Sequence, residues 1–173
     1  MIRKAILFAS YLLLYKSIRL IFGIKRVGDL DIEENKIYLF ASNHISKMDA
    51  LYILASLKIR EMWKISPVTF LITEKYMRKP LIGVYLRMVG GVANTRGCLR
   101  ILMERVAQGD NIMIFPQGKI KGNKAGIGLL YLEREFKESV IVPINIRRFM
   151  GSVKITFKEP FRHRIINTNL QPQ

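Results

Sequence analysis

Residues 37–57 read IYLFASNHISKMDALYILASL. Ile37–Ser42 is a short apolar run, the pattern of a buried strand, and Met48–Leu57 reads as a helix. Only the turn Asn43–Lys47 separates them. A strand that passes through so short a turn into a helix is the first half of a βα unit, and it sets the turn residues at the mouth of a sheet. Asn43-His44 follow the strand at once, and Asp49 comes five residues after the histidine. A catalytic imidazole needs a strand end to hold it, a carboxylate to fix its tautomer, and access to substrate. Five residues span about 1.4 turns of ideal helix, so one regular helix does not align the pair. A turn entering a helix, however, folds the carboxylate back to the ring. Ser46 and Asp49 also suit capping of that helix. Taken alone, such a pair is more often structural than catalytic.

Working outward, the same alternation repeats. Val68–Thr73 predicts a strand, and Pro80–Met88 a helix with proline in its first turn. Gly90-Gly91 breaks that helix, and Val92–Arg96 is extended. Leu99–Gln108 predicts a helix ending at Gly109. Asn111–Phe115 predicts a strand, Ile127–Lys137 a helix, and Val140–Ile146 and Val153–Phe157 two more strands. Strands alternating with helices predict a single α/β domain, with a mostly parallel or mixed central sheet flanked by helices. The length, 173 residues, suits one such domain.

Composition narrows the function classes. There are 29 Lys and Arg against 13 Asp and Glu, a net charge of +16, on a chain that is 50% hydrophobic. Such a chain should meet something anionic, either nucleic acid or a membrane surface. Cys98 is the single cysteine, and His44 and His163 are the two histidines. An intramolecular disulfide, a thiolate metal cluster and a multi-histidine site are thereby excluded, and no metal is expected.

The charge has a layout. No acid precedes Asp29, whereas Arg3, Lys4, Lys16, Arg19, Lys25 and Arg26 bracket the apolar run Ala5–Tyr15. A bilayer core needs around 20 apolar residues in a helix, and this run is shorter. The economical account is a helix lying in one leaflet with its cations at anionic headgroups. Its polar positions form no clean stripe, so a buried core helix is an alternative, and a single span with Lys16 and Arg19 snorkelling is another. Both membrane accounts keep the body on the cytoplasmic face. Residues 1–28 are expected to be this membrane-associating helix and its connector, and residues 29–173 the catalytic domain. Against nucleic acid as partner, the aromatics do not interleave with the cations as a stacking platform requires, and no nucleic-acid-binding signature is present.

Four blocks in order carry a family resemblance. Asn43-His44-Ile45-Ser46-Lys47-Met48-Asp49 fits an N-H-x4-D signature. Gly90-Gly91-Val92-Ala93-Asn94-Thr95-Arg96 looks like the second block, approached through Thr73-Glu74-Lys75 and Lys79-Pro80-Leu81-Ile82-Gly83. Phe115-Pro116-Gln117-Gly118 looks like the third and Val142-Pro143-Ile144 like the fourth. The chain thus resembles the glycerolipid acyltransferases typified by 1-acylglycerol-3-phosphate acyltransferase. The resemblance implies a membrane-associated O-acyltransferase. It also implies that His44 is the general base on an acceptor hydroxyl and that Asp49 orients its ring. The implied acyl donor is a thioester of coenzyme A or acyl carrier protein, a substrate rather than a cofactor, and the implied acceptor is a lysophospholipid. Arg96 matches the arginine that faces the acceptor's phosphate; a guanidinium suits that oxygen pair. Asn43, Gln117, Gly118, Lys119 and Lys121 complete the expected substrate-binding set.

The third block departs from the usual Phe-Pro-Glu-Gly-Thr-Arg, since Gln117, Lys119 and Ile120 replace its Glu, Thr and Arg. A carboxamide hydrogen-bonds a headgroup without supplying negative charge. A glycolipid or other phosphate-free acceptor, and a catalytically dead lipid-binding relative, therefore stand as alternatives. A basic nucleic-acid-binding module is the remaining one.

Overall fold

In the computed structural model, residues 2–117 and 139–162 are described. The chain opens with an unbroken helical stretch made of α1 (Ile2–Ser10), a π-helical turn (Tyr11–Tyr15) and α2 (Lys16–Ile21). Leu7, Tyr11, Tyr15 and Ile18 are buried, a spacing of four, four and three that is one stripe of a helix. The Tyr11 hydroxyl donates to the Leu57 carbonyl at 2.7 Å, and Phe8 meets Trp63 edge-on at 5.1 Å. The inner side of this helix therefore belongs to the core. Among the described residues no helix is long and apolar enough to cross a membrane, which leaves the single-span alternative without a candidate there.

After a turn at Gly23, β1 (Ile24–Val27) adds an edge strand. The expected division at residue 28 falls just past this strand, which is hydrogen-bonded into the sheet beside β7 (Ser152–Phe157). Then come β2 (Tyr38–Ser42), α3 (Asp49–Ser56), α4 (Ile59–Ile65), β3 (Val68–Ile72) and α5 (Glu74–Met77). Next are α6 (Pro80–Met88), β4 (Gly91–Ala93), α7 (Cys98–Ala107), β5 (Asn111–Ile114), β6 (Val140–Phe149), β7 and the short β8 (Phe161–Arg162). The expected helix Ile127–Lys137 lies outside the described residues.

The strand order is β1-β7-β6-β2-β5-β3-β4, with β8 pairing β6. β6, β2, β5, β3 and β4 run parallel, while β7 and β8 run antiparallel to β6. The sheet is thus mixed, in a single α/β domain. β6 continues three residues beyond the expected Ile146. It closes a hairpin with β7 through Met150 and Gly151, both at positive φ, as a tight two-residue turn requires.

Side chains alternate across the strands and divide the core. Tyr38 and Phe40 of β2 join Leu7, Tyr15, Ile53, Leu54, Met62, Val68 and Met113 on one face. Leu39 of β2 joins Leu102, Val106, Ile112, Ile114 and Ile141 under α7 on the other. Each such large apolar side chain contributes about 1.5–3 kcal/mol when fully buried. A polar clamp ties the edge to the helices. Both guanidinium Nη atoms of Arg26 in β1 meet the Glu61 carboxylate of α4, the Nη2–Oε1 arm at 2.8 Å. Glu61 also accepts the Lys58 backbone N–H at 2.8 Å. A two-armed contact with a further donor is what makes so buried an ion pair tolerable.

The outer side of the helices on the first face is unusual. Leu13, Leu20, Ile21 and Leu81 are 74–87% exposed, with exposed Lys16 and Arg19 beside them. Trp63 of α4 is half exposed under the Lys4 ammonium, 4.4 Å from the ring centroid.

Candidate active site

β2 is the middle strand of the sheet, with β6 on one side and β5 on the other. Where β2 ends at Ser42, the chain turns through Asn43–Met48 and starts α3 at Asp49. His44 is thereby delivered to the C-terminal edge of a largely parallel sheet, where ligands are bound in open α/β folds.

The turn folds onto Asp49. Its Oδ2 accepts the Ile45 backbone N–H at 2.6 Å and the Ser46 N–H at 2.9 Å, and faces His44 Nδ1 at 2.8 Å. An oxygen already receiving two N–H groups is an acceptor, so Nδ1 carries a proton, and in the neutral ring the lone pair is then on Nε2. Asp49 is fully buried in the first turn of α3, while the His44 side chain is 20% exposed. The carboxylate is held where the helix N-terminus favours negative charge. Its second oxygen, Oδ1, is buried with no hydrogen-bond partner among the described residues. The N-cap position of α3 is Met48, which makes no side-chain cap bond, and the Ser46 hydroxyl accepts the Met48 N–H at 3.0 Å, inside the turn. The Phe115 ring stacks on the imidazole with centroids 4.5 Å apart and planes at 27°, closing one side of it.

Two amides hold the turn. Asn43 Nδ2 donates to the Ile146 carbonyl at 2.9 Å, and Asn43 Oδ1 accepts the Ile146 N–H at 2.6 Å. Gln117 Oε1 accepts the His44 backbone N–H at 2.8 Å. Because a backbone N–H only donates, the carboxamide's oxygen must face His44, and its Nε2 donor points elsewhere. The structure therefore brings together His44, Asp49, Asn43 and Gln117, the last two on the backbone around the histidine.

Arg96 is exposed in the turn between β4 and α7. It shares the C-terminal edge with His44 but hangs from a strand three positions away, roughly 14 Å at the usual strand spacing. The structure does not join it to the histidine. Gly118, Lys119, Ile120 and Lys121 of the third block, and His163, lie outside the described residues. Cys98 is buried at the start of α7, where its thiol faces Asn94 Oδ1 at 3.7 Å. Two participants have no counterpart in the expected site: the Ile146 backbone and the Phe115 ring. Phe115 begins the third block, but an aromatic after a strand carries no sign of stacking on a histidine. The partnership of Ile146 with Asn43, 103 residues apart, leaves no local mark at all. Among the described residues no cluster of three metal-ligating side chains exists.

Comparison with known proteins bears on the family and the fold. The family model described as Acyltransferase matches residues 24–155. Among curated protein sequences none matches the chain. Among solved structures, the 1-acyl-sn-glycerophosphate (LPA) acyltransferase of Thermotoga maritima is similar, with a TM-score of 0.64 and 19% identity. The match covers 91% of this chain and 76% of that one.

Proposed function

We propose that this chain, an enzyme that belongs to the acyltransferase family, moves a fatty acyl group from a thioester to a lysolipid hydroxyl, with His44 as general base. The observation that carries the reading is the His44 Nδ1–Asp49 Oδ2 contact at 2.8 Å on a part-exposed ring at the sheet's C-terminal edge. Nε2 takes the proton from the acceptor hydroxyl as its oxygen attacks the thioester carbonyl. The new C–O bond forms, the tetrahedral intermediate collapses with loss of the C–S bond, and the imidazolium returns the proton to the leaving thiolate. Asp49 keeps the ring in the Nδ1–H tautomer and stabilises its charge as it forms. No acyl-enzyme is required, so the buried Cys98 has no part. Coenzyme A and acyl carrier protein are both suitable donor carriers, and no cofactor is involved.

The acceptor we favour is a lysophospholipid such as 1-acylglycerol-3-phosphate. Arg96, with Lys119 and Lys121, would supply the cations for its phosphate. A phosphate-free acceptor is the second reading, favoured by the neutral Gln117 and by Ile120 at the positions of the family's Glu and Arg. The enzyme would work as a peripheral protein on the cytoplasmic face of an anionic membrane. Support comes from the exposed Leu13, Leu20 and Ile21 on the outer side of the N-terminal helix, with Lys16 and Arg19 placed for headgroups. The N-terminal segment would attach and the rest of the chain catalyse. The deciding experiment offers a panel of lysolipids with both thioester donors and identifies products by mass spectrometry. A new diacyl product that disappears in His44→Ala supports the reading. Vesicle binding without any product in the parent would point to a catalytically dead lipid-binding relative.

A further inference from the structure

We infer that Asn43 and Gln117 are positioning residues, two side-chain amides that clamp the His44 turn between β6 and β5 and so set the turnover rate rather than substrate affinity. The inference rests on acyl transfer by His44, as proposed above. β2 pairs with β6 as far as Ser42, opposite Ile144, and with β5 as far as Ala41, opposite Ile114. Beyond those residues the backbone of β2 turns away, so the β6 ladder ends two residues before the histidine and the β5 ladder three.

Side chains take over at that point. The Asn43 carboxamide offers Ile146 one acceptor and one donor, as an extra peptide unit of β2 would. Gln117, just past β5, gives its Oε1 to the His44 N–H. Residues 43 and 44 are thus fixed from both flanks, and Asp49 fixes residues 45 and 46 from the third side. The imidazole leaves a backbone with little freedom to tilt, and misplacing a reacting group by about 1 Å costs about 100-fold in rate. None of the three clamp bonds needs the substrate. The carboxylate usual at position 117 in the third block would accept the same His44 N–H, so Gln117 keeps the clamp while removing a charge.

The test compares Gln117→Leu, Gln117→Glu and Asn43→Leu in the full chain. Two readouts are taken: steady-state kinetics with the lysolipid found active, and amide hydrogen exchange at His44 and Ile146. We expect kcat in Gln117→Leu to fall about 10- to 100-fold with KM within about twofold of the parent, and the His44 amide to exchange at least about tenfold faster. Gln117→Glu should recover at least about tenfold of the lost kcat and restore protection of the His44 amide. Asn43→Leu should expose the Ile146 amide and lower kcat in the same way. Unchanged kcat or unchanged His44 exchange in Gln117→Leu overturns the inference, and so does a loss confined to KM. If the parent makes no ester while the exchange pattern appears as expected, the clamp stands and the acyl-transfer reading fails. Because exchange reports each amide separately, a variant that unfolds is seen at once, and the Gln117 pair alone then decides.

Discussion

The two ends of the central strand β2 use the same device for different purposes. At the N-terminal end, Asn111 of β5 commits both ends of its amide to the backbone, accepting the Tyr38 N–H at 2.7 Å and donating to the Ile65 carbonyl at 2.6 Å. Nearby, the Thr69 hydroxyl donates to a buried Asp110 carboxylate at 2.6 Å. At the C-terminal end, Asn43 makes the equivalent pair of bonds to Ile146, and a buried Asp49 carboxylate faces His44. Asp110 is 3% exposed and Asp49 is 0%, so burial of a carboxylate does not separate the ends. What separates them is the partner. Thr69 is fully buried, whereas the His44 side chain reaches solvent and keeps Nε2 without a partner among the described residues. A buried acid marks a reactive site only when the group that it orients is left something to do.

Substitutions at the two ends should therefore fail in opposite ways. The largest effect belongs to His44→Ala. General-base help is worth about 10²–10⁴-fold, so turnover should drop by about 1,000-fold while the denaturant midpoint stays near the parent's. A collapse of stability with the surviving folded fraction fully active would reverse the assignment of the two ends. Asn111→Ala should do the converse. It strands the buried Tyr38 N–H and Ile65 carbonyl, at about 1–3 kcal/mol each. Urea unfolding should thus show a loss of about 2–6 kcal/mol, with turnover per folded molecule unchanged at low temperature. Normal stability in this variant would mean that the N-terminal end is not held by its amide. A smaller effect separates both ends from membrane attachment. Leu20, 83% exposed on α2, forms no part of either polar cluster. Leu20→Ser should weaken sedimentation with anionic vesicles about 5- to 10-fold, the worth of part of a leucine's burial. Equal vesicle binding by the variant would remove the helix's outer side from the attachment surface.

Much of the fold is legible in the amino-acid sequence. β2, β3, β5 and β7 fall on short β-branched or apolar runs, and α6 and α7 on segments bounded by Pro80 and Gly109. Each signal is local, because proline, glycine and apolar runs act within a turn or two. β1 and α4 escape notice for a physical reason. Ile24–Val27 is an edge strand with Lys25 exposed, so it has no buried run. Its charge, Arg26, is paired with Glu61 of α4, 35 residues away. α4 itself mixes Arg60, Glu61 and Lys64 with apolar residues, and its helical character depends on the sheet face that it covers. The N-terminal helix shows the same limit. Its lack of a clean polar stripe is accounted for by two apolar sides, one packed into the core and one exposed.

By itself, the sequence determined an alternating α/β chain, its excess of positive charge, and the histidine and aspartate that meet at a strand end. Periodicity, composition and a five-residue spacing are properties of neighbouring residues, and a turn entering a helix has few ways to place two side chains. Only the tertiary structure decided what holds that pair. Asn43 and Gln117 read as substrate contacts in the linear chain, yet in the fold they serve the backbone. Their partners lie 103 and 73 residues away, and only the parallel order β6-β2-β5 brings those backbones within hydrogen-bond reach.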